Sequence, residues 1–427
     1  MLVVASVFWT MACEPGDRDA PPDATAEPAL TAQEREDLAT AIASGRAELS
    51  PEELEAGRLD DSWRRWVDRD GEGSPADRRR PANAADDESW DEISGERINA
   101  EPALPLSGDV QGPSVAKIQI LLNQARFSPG IIDGFWGKNT EKAVYWFQQT
   151  NDLPATGEVD RATLDTLMRR GGAEQVRHHR LTDRDVAGPF VSVPDDIYER
   201  AELDCLCYES LREKLGEVFH SSPELLEQLN PGVDLNVVAA GEMLYVPAVQ
   251  RFHLDDLPEG AHSADNDVRR IRISVGGHYL HALDGAGNIL YHFPSTLGTD
   301  YSPSPEGEHV VESVTFHPEW HYQPDLLPDV DPDDEDAIIP AGPNNDVGVV
   351  WMALSKPHYG IHGTRAPETI GYATSAGCVR LTNWDAAFLG RRVPEGTVVE
   401  FLHVDGDRAV DEGGAGGRGG WHEGADR

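Results

Sequence analysis

Long apolar runs are missing from this chain: none of its 427 residues falls in an apolar stretch of eighteen or more, so no segment reads as a membrane-spanning helix. Positive charge is also scarce. Thirty-six Lys and Arg stand against 76 Asp and Glu, a formal net charge of −40, which excludes nucleic acid or an anionic bilayer as an electrostatic partner. Cysteine is rare, with Cys13, Cys205, Cys207 and Cys378 the only four. The C-x-C spacing of Cys205 and Cys207 is too tight for an easy mutual disulfide, so they read as small buried residues or loop thiols. A metal site there would need two more ligands nearby, and none is evident.

Aliphatic residues are sparse from Glu14 to about Pro105, where Ala, Asp, Glu, Arg and Pro dominate. Such a composition cannot repay the entropy of ordering, and residues 14–105 are expected to form an acidic tether. A short helix at 34–43 and a Trp63/Trp66 patch would be local exceptions. A second flexible segment is the glycine-rich tail, 405–427. Residues 1–12 are apolar and uncharged, and Cys13 is followed by the hydrophilic Glu14-Pro15-Gly16-Asp17. This resembles a bacterial lipoprotein signal, which implies a lipid on Cys13 and anchorage to a membrane of the cell envelope.

Between residues 107 and 170 the periodicity is helical. Val115, Ile118, Leu121 and Leu122, then Ala143, Val144 and Phe147, then Leu164, Leu167 and Met168 mark three apolar faces. Turns at Pro129-Gly130 and Asp133-Gly134, and Asp160 as a cap, separate three helices. The pattern Ile131-Ile132-Asp133-Gly134-Phe135-Trp136-Gly137, Thr140, Ala143-Val144, Phe147-Gln148, Thr156-Gly157 and Thr163 resembles the peptidoglycan-binding domain 1 family. From 198 to 248, Leu211, Leu215, Val218 and Phe219 suggest a helix, Ser222-Pro223 begins another, and Met243–Pro247 reads as a strand. That order, with Leu225-Leu226 and Leu229-Asn230-Pro231, resembles a degenerate LysM module; a spacer packed on its neighbours is the alternative.

Over 267–403 the period changes to two. Ile271, Ile273 and Val275 alternate with polar residues, and strands are expected at 278–283, 288–293, 308–316, 347–354, 359–362 and 397–402. One helix, 384–390, would be capped by Thr382 or Asn383. The fold class is multidomain α+β: a mainly β domain, a curved sandwich or barrel-like sheet, beside the small three-helix bundle.

Cys378 lies in Thr374-Ser375-Ala376-Gly377-Cys378-Val379-Arg380, sixteen residues after His362 in Tyr359-Gly360-Ile361-His362-Gly363-Thr364. A thiolate is the attacking species of cysteine chemistry, and a neighbouring imidazole is the usual means of making one near neutral pH. With Ile370-Gly371, Leu381 and Asp385, these motifs resemble the L,D-transpeptidase catalytic domain of YkuD type. The resemblance implies Cys378 as nucleophile and His362 as base, with the Gly363 backbone carbonyl orienting the ring. Backbone N–H groups of Gly377 and Cys378 would stabilise the oxyanion. Arg380, Ser375, Tyr359 and Trp320 would line the substrate. Arg380 has a second reading, as a structural partner of Asp385, and Ser375 as a turn residue. Where the family often has another histidine, this chain has Ala376, leaving His362 as the local base.

The expected activity is acylation of Cys378 by the third residue of a tetrapeptide stem, release of D-Ala, and transfer to an amine of a neighbouring stem as a 3→3 cross-link. Peptidoglycan peptide and glycan are the partners this implies, with no metal or organic cofactor required. Water or a protein amine as acceptor, or a non-catalytic wall-binding lipoprotein, are the alternatives.

Overall fold

A computed structural model describes residues 88–402 except 109, 173, 259, 262–266, 300, 301, 328 and 329. The apolar N-terminus, Cys13, the helix expected at 34–43, the Trp63/Trp66 patch and the glycine-rich tail lie outside the described residues. The end of the expected tether does not. From Glu88 onward the chain has regular elements, among them α1 (Gly95–Asn99), capped by Ser94, whose hydroxyl accepts from the Arg97 N–H. Ile93 and Ile98 are the reason: both are buried in a cluster with Ala116, Ile120, Ile132, Val176, Leu225, Leu229 and Val249. Burying one such side chain contributes about 1.5–3 kcal/mol, and hydrogen bonds from Trp90 Nε1 to Asp133 O and from Asn99 Nδ2 to Val176 O tie the segment further.

Three helices follow, α2 (Pro113–Gln124), α3 (Lys138–Thr150) and α4 (Arg161–Arg170). Pro113 sits in the first turn of α2, where a missing N–H costs nothing, and Asp160 caps α4 by accepting from the Thr163 N–H at 2.8 Å. Val115, Ile118, Leu121, Leu122, Ala143, Val144, Phe147, Leu164 and Leu167 share a core with Trp136. Met168, expected among them, is 36% exposed. The polar motif residues tie loops. Gln148 donates to Thr163 Oγ1 and accepts from the Thr156 and Gly157 N–H groups, each at 2.9 Å. Gln119 holds the Asp133-Gly134 turn in the same way.

Next comes a βααβ unit. β1 (Val176–Arg180) pairs antiparallel with β2 (Met243–Pro247), and α5 (Leu211–Val218) and α6 (Pro223–Leu229) lie between them in sequence. The unit expected to begin at 198 thus begins earlier, at a strand in which only Val176 is buried. Cys205 and Cys207 are joined as a disulfide, contrary to the expectation of separate thiols. Their Cα atoms are 5.2 Å apart, within disulfide reach, while Leu206 between them is fully buried and donates its N–H to Ala341 O at 3.0 Å.

The rest is mainly β. In chain order the strands are β3 (Gly260–Ala261), β4 (Arg270–Ser274), β5 (Tyr279–Leu283), β6 (Ile289–Pro294), β7 (Leu297–Gly298), β8 (Gly307–Phe316), β9 (Trp320–Tyr322) and β10 (Ala337–Ile339). Then come β11 (Val350–Leu354), β12 (Gly360–His362), β13 (Thr374–Ser375), β14 (Val379–Arg380) and β15 (Val398–Leu402). Nine form one sheet in the order β14-β12-β11-β8-β15-β4-β5-β6, with β3 also on β8. β8 is shared along its length: Gly307–Val310 pair with β15 and Val311–Phe316 with β11, so the sheet curls there. Helix α7 (Asn383–Gly390), capped by Thr382, buries Trp384, Ala386, Ala387 and Leu389 against Ile271, Val314, Met352 and Ile361.

Both other units dock on this domain. From the bundle, Ser128 N–H donates to His292 O at 2.9 Å, Asn139 Nδ2 to Ile370 O at 2.8 Å, and Trp146 packs edge-on against His281. From the βααβ side, Glu217 accepts from Asn383 Nδ2 at 2.9 Å and the Cys207 carbonyl accepts from Asn344 Nδ2 at 3.0 Å.

Candidate active site

β12 and β14 are parallel neighbours, with Ile361 opposite Val379 and His362 opposite Arg380. Side chains alternate along a strand, so while Ile361 and Val379 enter the core, His362 and Arg380 take the other face. Cys378 stands one residue ahead of β14, at the end of a turn that Ser375 closes. Ser375 Oγ donates to Cys378 O at 2.6 Å and accepts from the Gly377 N–H at 3.2 Å. Gly377 has φ +103°, and a Cβ there would lie 2.6 Å from Tyr359 Cε1, so the turn admits glycine alone. Tyr359 therefore lies against the cysteine turn, with the Lys356 ammonium 4.0 Å over its ring.

His362 is 3% exposed, and its Nδ1 is 2.7 Å from Gly363 O. A carbonyl only accepts, so Nδ1 carries the proton and Nε2 the lone pair. Burial, and secondarily the Arg380 charge, push this imidazole down to about 3, which keeps it neutral. Trp351, its cross-strand partner on β11, stacks on the ring at 5.3 Å and 26°. Gly363 is held in turn: a Cβ on it would collide with Asn383 Oδ1.

Cys378 is the free cysteine among the described residues, partly buried, with Sγ 3.7 Å from His358 O. Burial pushes the thiol above its ordinary value, while the Gly360 N–H and then the Arg380 charge act to lower it. The Arg380 Nε is buried without a hydrogen-bond partner. Its suggested structural partner, Asp385, is engaged elsewhere: it accepts from Ser128 Oγ at 2.7 Å, and burial pushes it up to about 7. Asp346, the carboxylate that acts most on Arg380, is ion-paired with Arg200 at 3.1 Å and Arg365 at 3.4 Å.

Two expected site groups are placed otherwise. The Gly377 N–H, expected at the oxyanion, is bonded to Ser375 Oγ, because the tight turn needs that bond to close. Trp320 lies in β9, whose pairing with β10 carries it into a cluster with Leu206, Tyr322 and Ile339; none of these belongs to the Cys378 turn. Conversely, Trp351 was not singled out in the sequence, and Asn383 only as a possible helix cap. Only the β11–β12 register and the α7 docking bring them to His362 and Gly363.

The model of the L,D-transpeptidase catalytic domain (YkuD) matches residues 268–401, and one described as "Putative peptidoglycan binding domain" matches 111–167. The class is thus a wall-directed enzyme with a mainly β catalytic domain. Proteins named "Putative L,D-transpeptidase YkuD" are 30% identical over 189 residues in Bacillus licheniformis, covering 44% of this chain and 92% of that one, and 52% identical over 181 residues in Bacillus subtilis, covering 42% and 87%. The crystal structure of an L,D-transpeptidase from Xylanimonas cellulosilytica covers 71% of this chain and 99% of its own at 15% identity, with a TM-score of 0.29, too low to build on. The chain belongs to the L,D-transpeptidase family.

Proposed function

We propose that this enzyme forms 3→3 cross-links in peptidoglycan through Cys378. The resting pair in this reading is a neutral thiol and a neutral imidazole. As the sulfur attacks the carbonyl of the third stem residue, His362 Nε2 takes the thiol proton and then gives it to the departing D-Ala amine, leaving a thioester. A stem-peptide amine attacks that thioester, its proton passes to His362, and the thiol is restored. Gly363 O holds the ring in the required tautomer throughout. For the oxyanion the proposal relies on the Cys378 N–H, since Ser375 engages that of Gly377; one such donor is typically worth about 3 kcal/mol. Arg380, with its unpartnered Nε, binds a substrate carboxylate and favours the developing thiolate. Tyr359 walls the turn, and Trp320 is left out.

The bundle raises the local concentration of substrate, and the βααβ unit, with the element order of a LysM module, would add glycan contact. Lipid on Cys13 would hold the enzyme at an envelope membrane.

One observation carries the reading: the 2.7 Å bond from His362 Nδ1 to Gly363 O, on the strand adjoining β14, which Cys378 immediately precedes. Purified protein incubated with disaccharide-tetrapeptide is expected to yield dimer with loss of one D-Ala, read by mass spectrometry. Cys378→Ala should abolish the product while sparing sacculus binding. Tripeptide in place of dimer would make water the acceptor, and full activity of Cys378→Ala would end the proposal.

A further inference from the structure

Where the three units meet there is a cavity of about 430 Å3, and none of Cys378, His362 or Arg380 lines it. Its walls include Asn123 and Arg126 from the bundle, His220 after α5, and Trp384, Arg391 and Arg392 from α7 and its exit. Five buried polar atoms on the cavity's walls lack a hydrogen-bond partner: Trp384 Nε1, Arg391 Nε, His220 Nε2, Asn123 Oδ1 and His253 Nε2, the last 3.4 Å from Asp185 Oδ1. Three of them are donors. The indole and guanidinium nitrogens carry hydrogens by constitution. His220 Nδ1 lies 3.2 Å from Asn123 Nδ2, an amide donor, which leaves the ring proton of the buried, neutral imidazole on Nε2. A buried donor without an acceptor is costly, so donors gathered on one cavity imply an acceptor that the chain itself does not supply.

Charge points the same way. The Arg126 and Arg392 guanidiniums lie 4.5 Å and 3.7 Å over the one ring of Phe388, and neither forms an ion pair among the described residues. Elsewhere in this acidic chain Arg184, Arg200, Arg212 and Arg270 each hold a carboxylate. The cavity's own carboxylates are occupied: Asp256 by Arg184 at 2.8 Å, Asp385 by Ser128 at 2.7 Å, and Asp267 by the Tyr291 hydroxyl. Arg251, also on the wall, is taken by Asp185 at 3.3 Å.

We propose that this junction cavity binds a small oxyanion, a carboxylate or phosphate group, at a site separate from Cys378. Bound there, the ligand bridges all three units and holds them in one arrangement. A peptide C-terminus and a free phosphate share this chemistry. The test uses the full chain, with titration calorimetry and thermal melting at constant ionic strength against chloride, and with inorganic phosphate and N-acetyl-D-alanine as probes. At least one probe should bind saturably and raise Tm. Phosphate alone would assign the phosphate source, and the carboxylate alone a peptide terminus. Arg392→Gln and Arg126→Gln should each weaken binding about tenfold, the usual scale for a charge-assisted bond. Trp384→Phe, which removes little but the indole N–H, should weaken it less, and Cys378→Ala should leave it unchanged. No effect beyond chloride with either probe, or equal binding by both arginine variants and the parent, would overturn the proposal.

Discussion

The catalytic domain is gripped on two sides by opposite chemistry. On the bundle side, His281 Nε2 and His292 Nδ1 lie 3.0 Å apart beneath Trp146, and burial forces both rings toward neutrality, His281 down to about 3. On the βααβ side, Glu217 accepts from Tyr208 OH at 3.0 Å and Asn383 Nδ2 at 2.9 Å, and burial pushes it up to about 8. One interface stores uncharged bases and the other an uncharged acid. The two respond to pH in opposite senses.

The signs follow from linkage. A histidine with its pKa lowered to about 3 contributes stability that is complete above its unfolded value near 6.5 and is lost as pH falls toward 3. A carboxyl raised to about 8 contributes stability that is complete below its unfolded value near 4.5 and is lost as pH rises toward 8. Acid should therefore loosen the bundle side, and base the βααβ side.

The contrast is broken hardest by Asn383→Ala. That change orphans Glu217 Oε1, Pro343 O and the Val349 N–H, and should cost about 3 kcal/mol in urea unfolding. Because Asn383 Oδ1 also abuts Gly363, kcat should fall more than KM changes. Trp146→Ala should cost about 2 kcal/mol by the same measurement, through lost packing on Tyr279 and His281, and leave kcat near the parent value. A loss of kcat as large as that of Asn383→Ala would erase the distinction between the two sides. Glu217→Gln cannot ionise, so its Tm relative to the parent should rise steadily from pH 4.5 to 8. The smallest effect is expected for His281→Gln, whose Tm should fall less than the parent's between pH 6.5 and 4, His292 still contributing. A parallel pH profile for either variant and the parent would show that its group does not titrate as placed.

Much of the catalytic domain is legible in the sequence. Strands such as Tyr279–Leu283 and Val398–Leu402, and helix α7 behind the cysteine, announce themselves by local period and by a capping Thr382. The peptidoglycan-binding bundle was legible for the same reason, and its Gln148–Thr163 tie shows that its polar pattern is also architecture. Strand β1 was not, because Val176-Arg177-His178-His179-Arg180 buries one aliphatic side chain and has no apolar period. The Cys205–Cys207 bond escaped because spacing alone does not give the separation of two Cα atoms. Ile93 and Ile98 escaped because two aliphatics in a polar stretch have no meaning until the groove that receives them exists.

By itself the sequence determined the family, its peptidoglycan-binding helical region, and the glycines that let the Cys378 turn close. These are local properties: they depend on which residues neighbour one another along the chain. Only the tertiary structure decided that Asp385 serves Ser128 and not Arg380, that Trp320 packs with Leu206, Tyr322 and Ile339 while Trp351 stacks on His362, and that three units enclose a donor-lined cavity. Each of those depends on strand register or on the docking of distant segments, and burial, the chief cause of the shifted histidines and carboxyls, arises only when those segments meet.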